Sequence, residues 1–333
     1  MGGKAVNFVR RYDAKEYHSL VAEFVPQLQE LLNTKCVVLE AYVDKATFGD
    51  MDVLVLVPEG FDYTIWRQLV INKFQPIDID INTNVMSIAH KELQIDLIFT
   101  QEKYWQSTYN FFKFNDLGNL IGKIAHRFGC KYGQKGLVYV YRTEEDIVLG
   151  EFIISQDMSQ ILPFLGLDYQ KWLTGFKTDI EIFDYIKSSR YFNVEDFKLH
   201  NLNAINRKRN SKRKMYNEFV TYCENLIENK AYFLFDKDKT SYWSYIDEKF
   251  QGFYVNLQTL QDLEKKRLDI KNKYNGKMLM ERWPHLKAQT LGLFIKEFKN
   301  SIEDFDTWLE FTNKETIWQQ VEYFMLKNAC KFI

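Results

Sequence analysis

The stretch DKATFGDMDVLVLVPEG (residues 44–60) places Asp50 and Asp52 one residue apart, directly ahead of the apolar run from Val53 to Val57. An unbroken run of Val and Leu predicts a strand buried on both faces. A strand sends alternate residues to the same face, so Asp50 and Asp52 point together and Met51 points away. Gly49, just ahead of them, is expected to permit a tight turn and close approach of a ligand to the backbone. Two carboxylates at the mouth of a buried strand are either a solvated strand end or part of a cation site. A third acid favours the second reading. In LQIDLIFT (93–100), Asp96 lies between Ile95 and Leu97, where a carboxylate is costly unless partnered. If that strand pairs beside 51–57, three carboxylates meet at one sheet edge and repel one another unless cations neutralise them. Two Mg²⁺ ions, or Mn²⁺ in their place, suit such a site, because they take oxygen ligands and complete their shells with water and substrate phosphates.

Working outward, residues 13–34 carry Tyr17, Leu20, Phe24, Leu28 and Leu31 at helical spacing, with Pro26 as a kink candidate. CVVLEAYV (36–43) reads as a strand and FDYTIWRQLVINKF (61–74) as a helix. IDIDINTN, VMSIAHKE and LQIDLIFT read as three short strands with a turn at residues 82–84. Two short helices are expected over 104–129, then a hairpin from GLVYVYR and IVLGEFIIS around TEED. Beyond about residue 157 the pattern is mainly helical. Ser301 with Asp304, and Thr312 with Glu315, predict the starts of the last two helices. The fold class is therefore α+β: a small mixed sheet with flanking helices, followed by a mainly helical C-terminal region.

The 333 residues are 46% hydrophobic and 27% charged, an ordinary globular balance, and the net charge of -1 makes any nucleic-acid contact a matter of local patches. The densest patch is NRKRNSKRKMY (206–216), with Arg207, Lys208, Arg209, Lys212, Arg213 and Lys214. Such a cluster either neutralises phosphates or is simply a solvated helix start. The four cysteines are far apart and suggest neither a zinc site nor a disulfide framework. The N-terminus lacks a signal-type apolar core, Val6 stands where N-myristoylation needs Ser or Thr, and no apolar run is long enough to span a membrane. A cytoplasmic protein with no membrane partner is expected.

KATFGDMDVLV (45–55) resembles the signature of the polymerase β-like nucleotidyltransferase superfamily, family X DNA polymerases above all. There a basic segment leads to Gly-Asp-x-Asp and an apolar strand, and a third acid follows on a neighbouring strand; QIDLIF is similar to that third element. The segment 111–139 resembles the thumb of these polymerases. The beginning, Gly2 to Ala5, is similar to that of nucleotidyltransferases carried by bacteriophages, and the resemblance covers about the first 145 residues. It implies a palm-like nucleotidyltransferase domain at 1–103, thumb-like helices and hairpin at 104–156, and a helical domain at 157–333 that can contact nucleic acid. It implies transfer of a nucleoside monophosphate from a nucleoside triphosphate to a hydroxyl, with Asp50, Asp52 and Asp96 as catalytic metal ligands. Lys45, Thr47, Gly49, Lys123 and Arg127 would meet the nucleotide, and Lys131 with the 207–214 cluster the nucleic acid, tRNA or DNA. A fainter resemblance, at 275–300, is to a helical element of tRNA nucleotidyltransferases and poly(A) polymerases.

The pattern departs at one place. Glu40 and Ala41 stand where the family's phosphate-binding Gly-Ser is expected. This leaves a second reading open, a fold that has lost catalysis and serves in phage assembly or nucleic-acid binding. A third is transfer to a protein acceptor.

Overall fold

The computed structural model describes residues 5–225 and 232–332. Gly2 to Lys4, part of the N-terminal resemblance, lie outside the described residues. The protein is α+β, and its chain divides into two compact units: residues 1–140 with 151–253, and residues 141–150 with 254–333. The packing thus parts the chain after Phe253, whereas the sequence motifs part it at 103 and 156.

The first unit begins with β1 (Tyr12–Asp13) and α1 (Ala14–Leu32). Asp13 caps α1 through the Glu16 N–H, and Glu16 returns the bond to Asp13, a reciprocal capping box. Pro26 lies inside α1 without ending it. Then come β2 (Cys36–Val38), β3 (Thr47–Phe48), β4 (Asp50–Val57), α2 (Tyr63–Phe74), β5 (Ile79–Asn82), β6 (Val85–His90) and β7 (Leu93–Gln101). Five of these strands form one mixed sheet in the order β2-β4-β7-β6-β5, and β1 pairs with β3 as a separate ribbon. β4 and β7 are parallel, and β4 is buried in mid-strand, with Val53, Leu54 and Val55 at 0% exposure.

The two faces of the sheet differ. Met51, Val53, Val55, Ile95, Leu97 and Phe99 pack with Leu20, Phe24 and Leu28 of α1 and Val70 of α2 in the main core. On the opposite face Leu54 and Ile98 pack against Trp105 of α3 (Trp105–Phe112). Asp50, Asp52 and Asp96 share this second face by strand alternation.

The strand expected over 36–43 stops at Val38. From there the chain leaves the sheet as a loop held by other partners: the Val43 and Asp44 N–H groups donate to the carbonyls of Phe176 and Lys177, at 3.0 and 2.8 Å. Gly49 forms a buried bend between β3 and β4 without a positive φ. After α3 come α4 (Leu117–Arg127), β8 (Cys130–Gly133), β9 (Gly136–Arg142) and β10 (Val148–Ser155). β9 and β10 are the expected hairpin, with β8 added along β9. The unit continues through α5 (Met158–Phe164), α6 (Tyr169–Thr174), α7 (Asp179–Lys187), α8 (Ala204–Asn210), α9 (Lys214–Asn225) and α10 (Trp243–Lys249).

The second unit holds most of α11 (Phe253–Lys273), with α12 (Gly276–Arg282), α13 (Gln289–Asn300), α14 (Phe305–Phe311) and α15 (Lys314–Asn328). Its core gathers Leu279, Phe294, Phe298, Leu309, Ile317 and Val321, with Trp283, Trp308 and Trp318 half-buried against it. These tryptophans are packing residues. The two last helix starts are not where the sequence patterns put them. Ser301 ends α13, because its hydroxyl donates to the Phe298 carbonyl at 2.7 Å instead of capping a new helix. α14 begins after Asp304. Thr312 ends α14, and its neighbour Asn313 caps α15 by accepting from the Thr316 N–H at 3.0 Å.

Candidate metal centre and its surroundings

The register of the sheet assembles the acids. Asp52 on β4 lies opposite Asp96 on β7, and Asp50 opposite Gln94. On the other side of β7, Ser87 of β6 lies opposite Asp96, and Asp80 of β5 opposite Ser87. One carboxylate oxygen from each of Asp50, Asp52 and Asp96 falls within 4.8 Å of the others, and all three side chains are half-buried. This is the grouping that the spacing Gly49-Asp50-x-Asp52 and the apolar setting of Asp96 predict.

The electrostatics of the cluster are those of a site that gathers negative charge. Burial, then Asp50 and Asp96, hold the Asp52 carboxyl well above the usual carboxylate range. Burial is also the chief reason that Asp96 is pushed up to about 6; hydrogen bonds from Ser87 and Gln94 work against it, and Asp50 adds to it. A divalent cation relieves both burdens, by neutralising charge and by filling oxygen lone pairs with a hard acid. The donor set, carboxylate oxygens with neither thiol nor imidazole in the cluster, fits Mg²⁺ or Mn²⁺.

Asp96 has a second layer of support that sequence reasoning missed. The buried Gln94 donates from Nε2 to both Asp96 oxygens, at 3.0 Å each. A period-two reading of β7 would have found it, since Gln94 shares the face of Asp96 and is an amide among apolar residues.

Lys45 is beside the acids. Burial lowers its pKa, and Asp50 and Asp52 oppose that shift; its Nζ also sits 4.6 Å from the Phe48 ring centre. Thr47 is engaged by Arg11, whose Nε and Nη2 donate to its hydroxyl at 3.0 and 2.8 Å and whose Nη2 donates to its carbonyl at 2.7 Å. Arg11 therefore brings a guanidinium to the loop that carries Lys45. Nothing in the sequence marks it, because the contact depends on the two-residue ribbon of β1 and β3. Glu40 is turned away: its carboxylate accepts from the Tyr109 hydroxyl at 2.7 Å.

The remaining candidates are spread over several places. Arg213 pairs with Asp116, which lies within electrostatic reach of both Asp52 and Lys45. Arg209 is in reach of Asp116 and of Lys123, and Lys123 is pushed down to about 8 by burial and then by Arg209. Arg127, on the same helix as Lys123, is instead committed to Asp196 at 3.4 Å and to the Phe235 ring. The basic stretch is not one helix face. It breaks between α8 and α9, so that Arg207 donates to the Leu202 carbonyl at 2.9 Å and Lys208 is exposed. Lys212 and Lys214 line an open cleft with Asp179 and Glu218, and Lys214 is 3.3 Å from Glu218. Lys131 and Arg209 line another cleft, of about 690 Å³, with Lys135, Tyr104, Phe111 and Tyr132. There Glu151 pairs with Lys135 at 2.8 Å and with Lys131 at 3.7 Å.

No helix among the described residues is long and apolar enough to cross a membrane. No protein-family model matches this chain, and no curated protein matches it.

Proposed function

We propose that this protein is a nucleotidyltransferase that moves a nucleoside monophosphate from a nucleoside triphosphate to a hydroxyl, the 3′ end of a nucleic acid, in the cytoplasm of a phage-infected host. The observation that carries this reading is the meeting of Asp50, Asp52 and Asp96 within 4.8 Å. Asp50 and Asp52 would hold both of two Mg²⁺ ions, and Asp96 the one on the acceptor side. Bound there, the ions would offset phosphate charge and lower the pKa of the acceptor hydroxyl. The acceptor oxygen forms a bond to the α-phosphorus, the bond to the bridging oxygen of pyrophosphate breaks, and the hydroxyl proton leaves to solvent.

The chain's own residues do the positioning. Gln94 and Ser87 fix Asp96 by hydrogen bonds. Lys45 and Arg11 supply positive charge at the loop where Gly-Ser would otherwise cradle the triphosphate, and Glu40 is kept from it by Tyr109. Removing Arg11 should therefore show in substrate binding: Arg11→Ala is expected to raise KM for the nucleoside triphosphate about tenfold with a smaller change in kcat. Steady-state kinetics check it, and an unchanged KM removes Arg11 from the site.

A nucleic-acid acceptor is supported by the cleft of Lys131 and Arg209, whose lining joins cations to the rings of Tyr104, Phe111 and Tyr132, groups suited to phosphates and bases. Replacing both by Ala should weaken acceptor binding and flatten its dependence on salt by about 1.4–1.8 in the log–log slope, as two phosphate contacts are lost. Fluorescence anisotropy over a salt series gives the slope; an unchanged slope places the acceptor elsewhere.

The altered Glu40-Ala41 turn favours the second reading, a fold retained without catalysis. Four labelled triphosphates with Mg²⁺ and RNA, DNA or protein acceptors separate the cases. Label on a nucleic-acid 3′ end supports transfer, label on protein redirects the acceptor, and none on any acceptor supports the loss of catalysis.

A further inference from the structure

The N-terminal arm ahead of β1 reaches the acid cluster through a single side chain. Gln94 is 3% exposed, and its amide is bonded on both sides. On one side Oε1 accepts from the backbone N–H groups of Ala5, at 2.8 Å, and Val6, at 3.4 Å. On the other, Nε2 donates to both oxygens of Asp96. Chemistry fixes this orientation. Two N–H groups need an acceptor and a carboxylate needs a donor, so a flipped amide would oppose like partners on both sides. Other contacts hold the arm down: Val6 is buried, Asn7 donates from its backbone N–H and its side chain to Asp78 at 2.8 Å each, and the Arg10 N–H donates to the Glu92 carbonyl at 2.8 Å.

We propose that Gln94 is a positioning residue for the third metal-binding carboxylate, and that the arm at Ala5 and Val6 sets Gln94 and so belongs to the metal site. The inference rests on the reading of Asp50, Asp52 and Asp96 as a divalent-cation site. A carboxylate anchored through its partner amide presents a fixed pair of oxygens, whereas an unanchored one rotates and must be ordered when the cation binds. Outer partners of this kind usually matter by about 10–100-fold in metal affinity. The arm contributes no ligand. It acts through the orientation of one amide.

Two variants of the full-length protein test it, with Mn²⁺ as the probe and calorimetry and electron paramagnetic resonance as the readouts. Gln94→Ala is expected to weaken Mn²⁺ binding by about 10–100-fold and to lower kcat while leaving KM for the nucleoside triphosphate unchanged. Ala5→Pro removes the N–H that donates to Gln94 while fixing φ there, and should weaken Mn²⁺ binding by a smaller factor. Because both act through the same amide, the double variant should bind Mn²⁺ no more weakly than Gln94→Ala alone. Mn²⁺ affinity within about twofold of wild type in Gln94→Ala, with an unchanged circular dichroism spectrum, overturns the positioning role and leaves the cation site standing. If Gln94→Ala fails to fold, Ala5→Pro is judged by the same criterion. Absence of Mn²⁺ binding in the wild-type protein overturns both this inference and the cation site on which it rests.

Discussion

Asp52→Asn is expected to remove nucleotidyl transfer almost entirely while leaving the protein folded and, without metal, more stable. Asp52 lies opposite Asp96 in the sheet and one residue from Asp50, so it is the carboxylate that both neighbours oppose. On the proposed two-ion reading, its loss would take one ligand from each ion at once. Metal activation supplies several kcal/mol of transition-state stabilisation, and about 4 kcal/mol corresponds to about a 10³-fold drop in kcat. The same substitution removes a buried carboxyl whose ionisation is opposed by burial, Asp50 and Asp96, so the melting temperature in chelator should rise. A function-driven site shows this opposition of activity and stability; a solvated strand end does not. Activity within tenfold of wild type, or a lower melting temperature in chelator, would contradict the assignment.

Mg²⁺ is expected to stabilise the protein strongly at pH 8 and weakly at pH 5. The sign follows from Asp96, pushed up to about 6 in the folded chain chiefly by burial. The unfolded chain releases this proton near pH 4, so without metal the folded state is favoured by proton binding below about pH 4. That contribution, about 3 kcal/mol, is lost as pH rises through about 6. A cation needs the deprotonated carboxylate, so it competes with the proton below pH 6 and binds freely above it. At a free concentration of about a hundred times its Kd, it adds about 2.7 kcal/mol of stability. Thermal melts with and without Mg²⁺ across pH 5–8 check this. An equal gain at both ends would separate Asp96 from the cation.

The sheet and its acids were legible because their signals are local. Alternation places Asp50 with Asp52, an apolar setting marks Asp96, and the stripe of Tyr17, Leu20, Phe24 and Leu28 marks α1. What escaped depended on partners distant in sequence. Ser301 fits a capping pattern, but its hydroxyl serves the helix behind it. The basic stretch reads as one patch, yet it breaks at Ser211 and sends Arg213 to Asp116 and Arg209 to a cleft shared with Lys131. Arg11 meets Thr47 only through a ribbon of two-residue strands. The departure from the phosphate-binding turn at Glu40-Ala41 is plain in the sequence, but where the Glu40 carboxylate goes is visible only in three dimensions, where Tyr109 holds it.

The central claim is that Asp50, Asp52 and Asp96 together hold two divalent cations at a nucleotide. Crystals grown with Mn²⁺ and a non-hydrolysable nucleoside triphosphate, measured at the manganese edge, address it directly. Two anomalous peaks about 3.5–4 Å apart are expected, both touching Asp50 and Asp52 and one touching Asp96. A map with no peak among these carboxylates, with the nucleotide bound elsewhere, would contradict it.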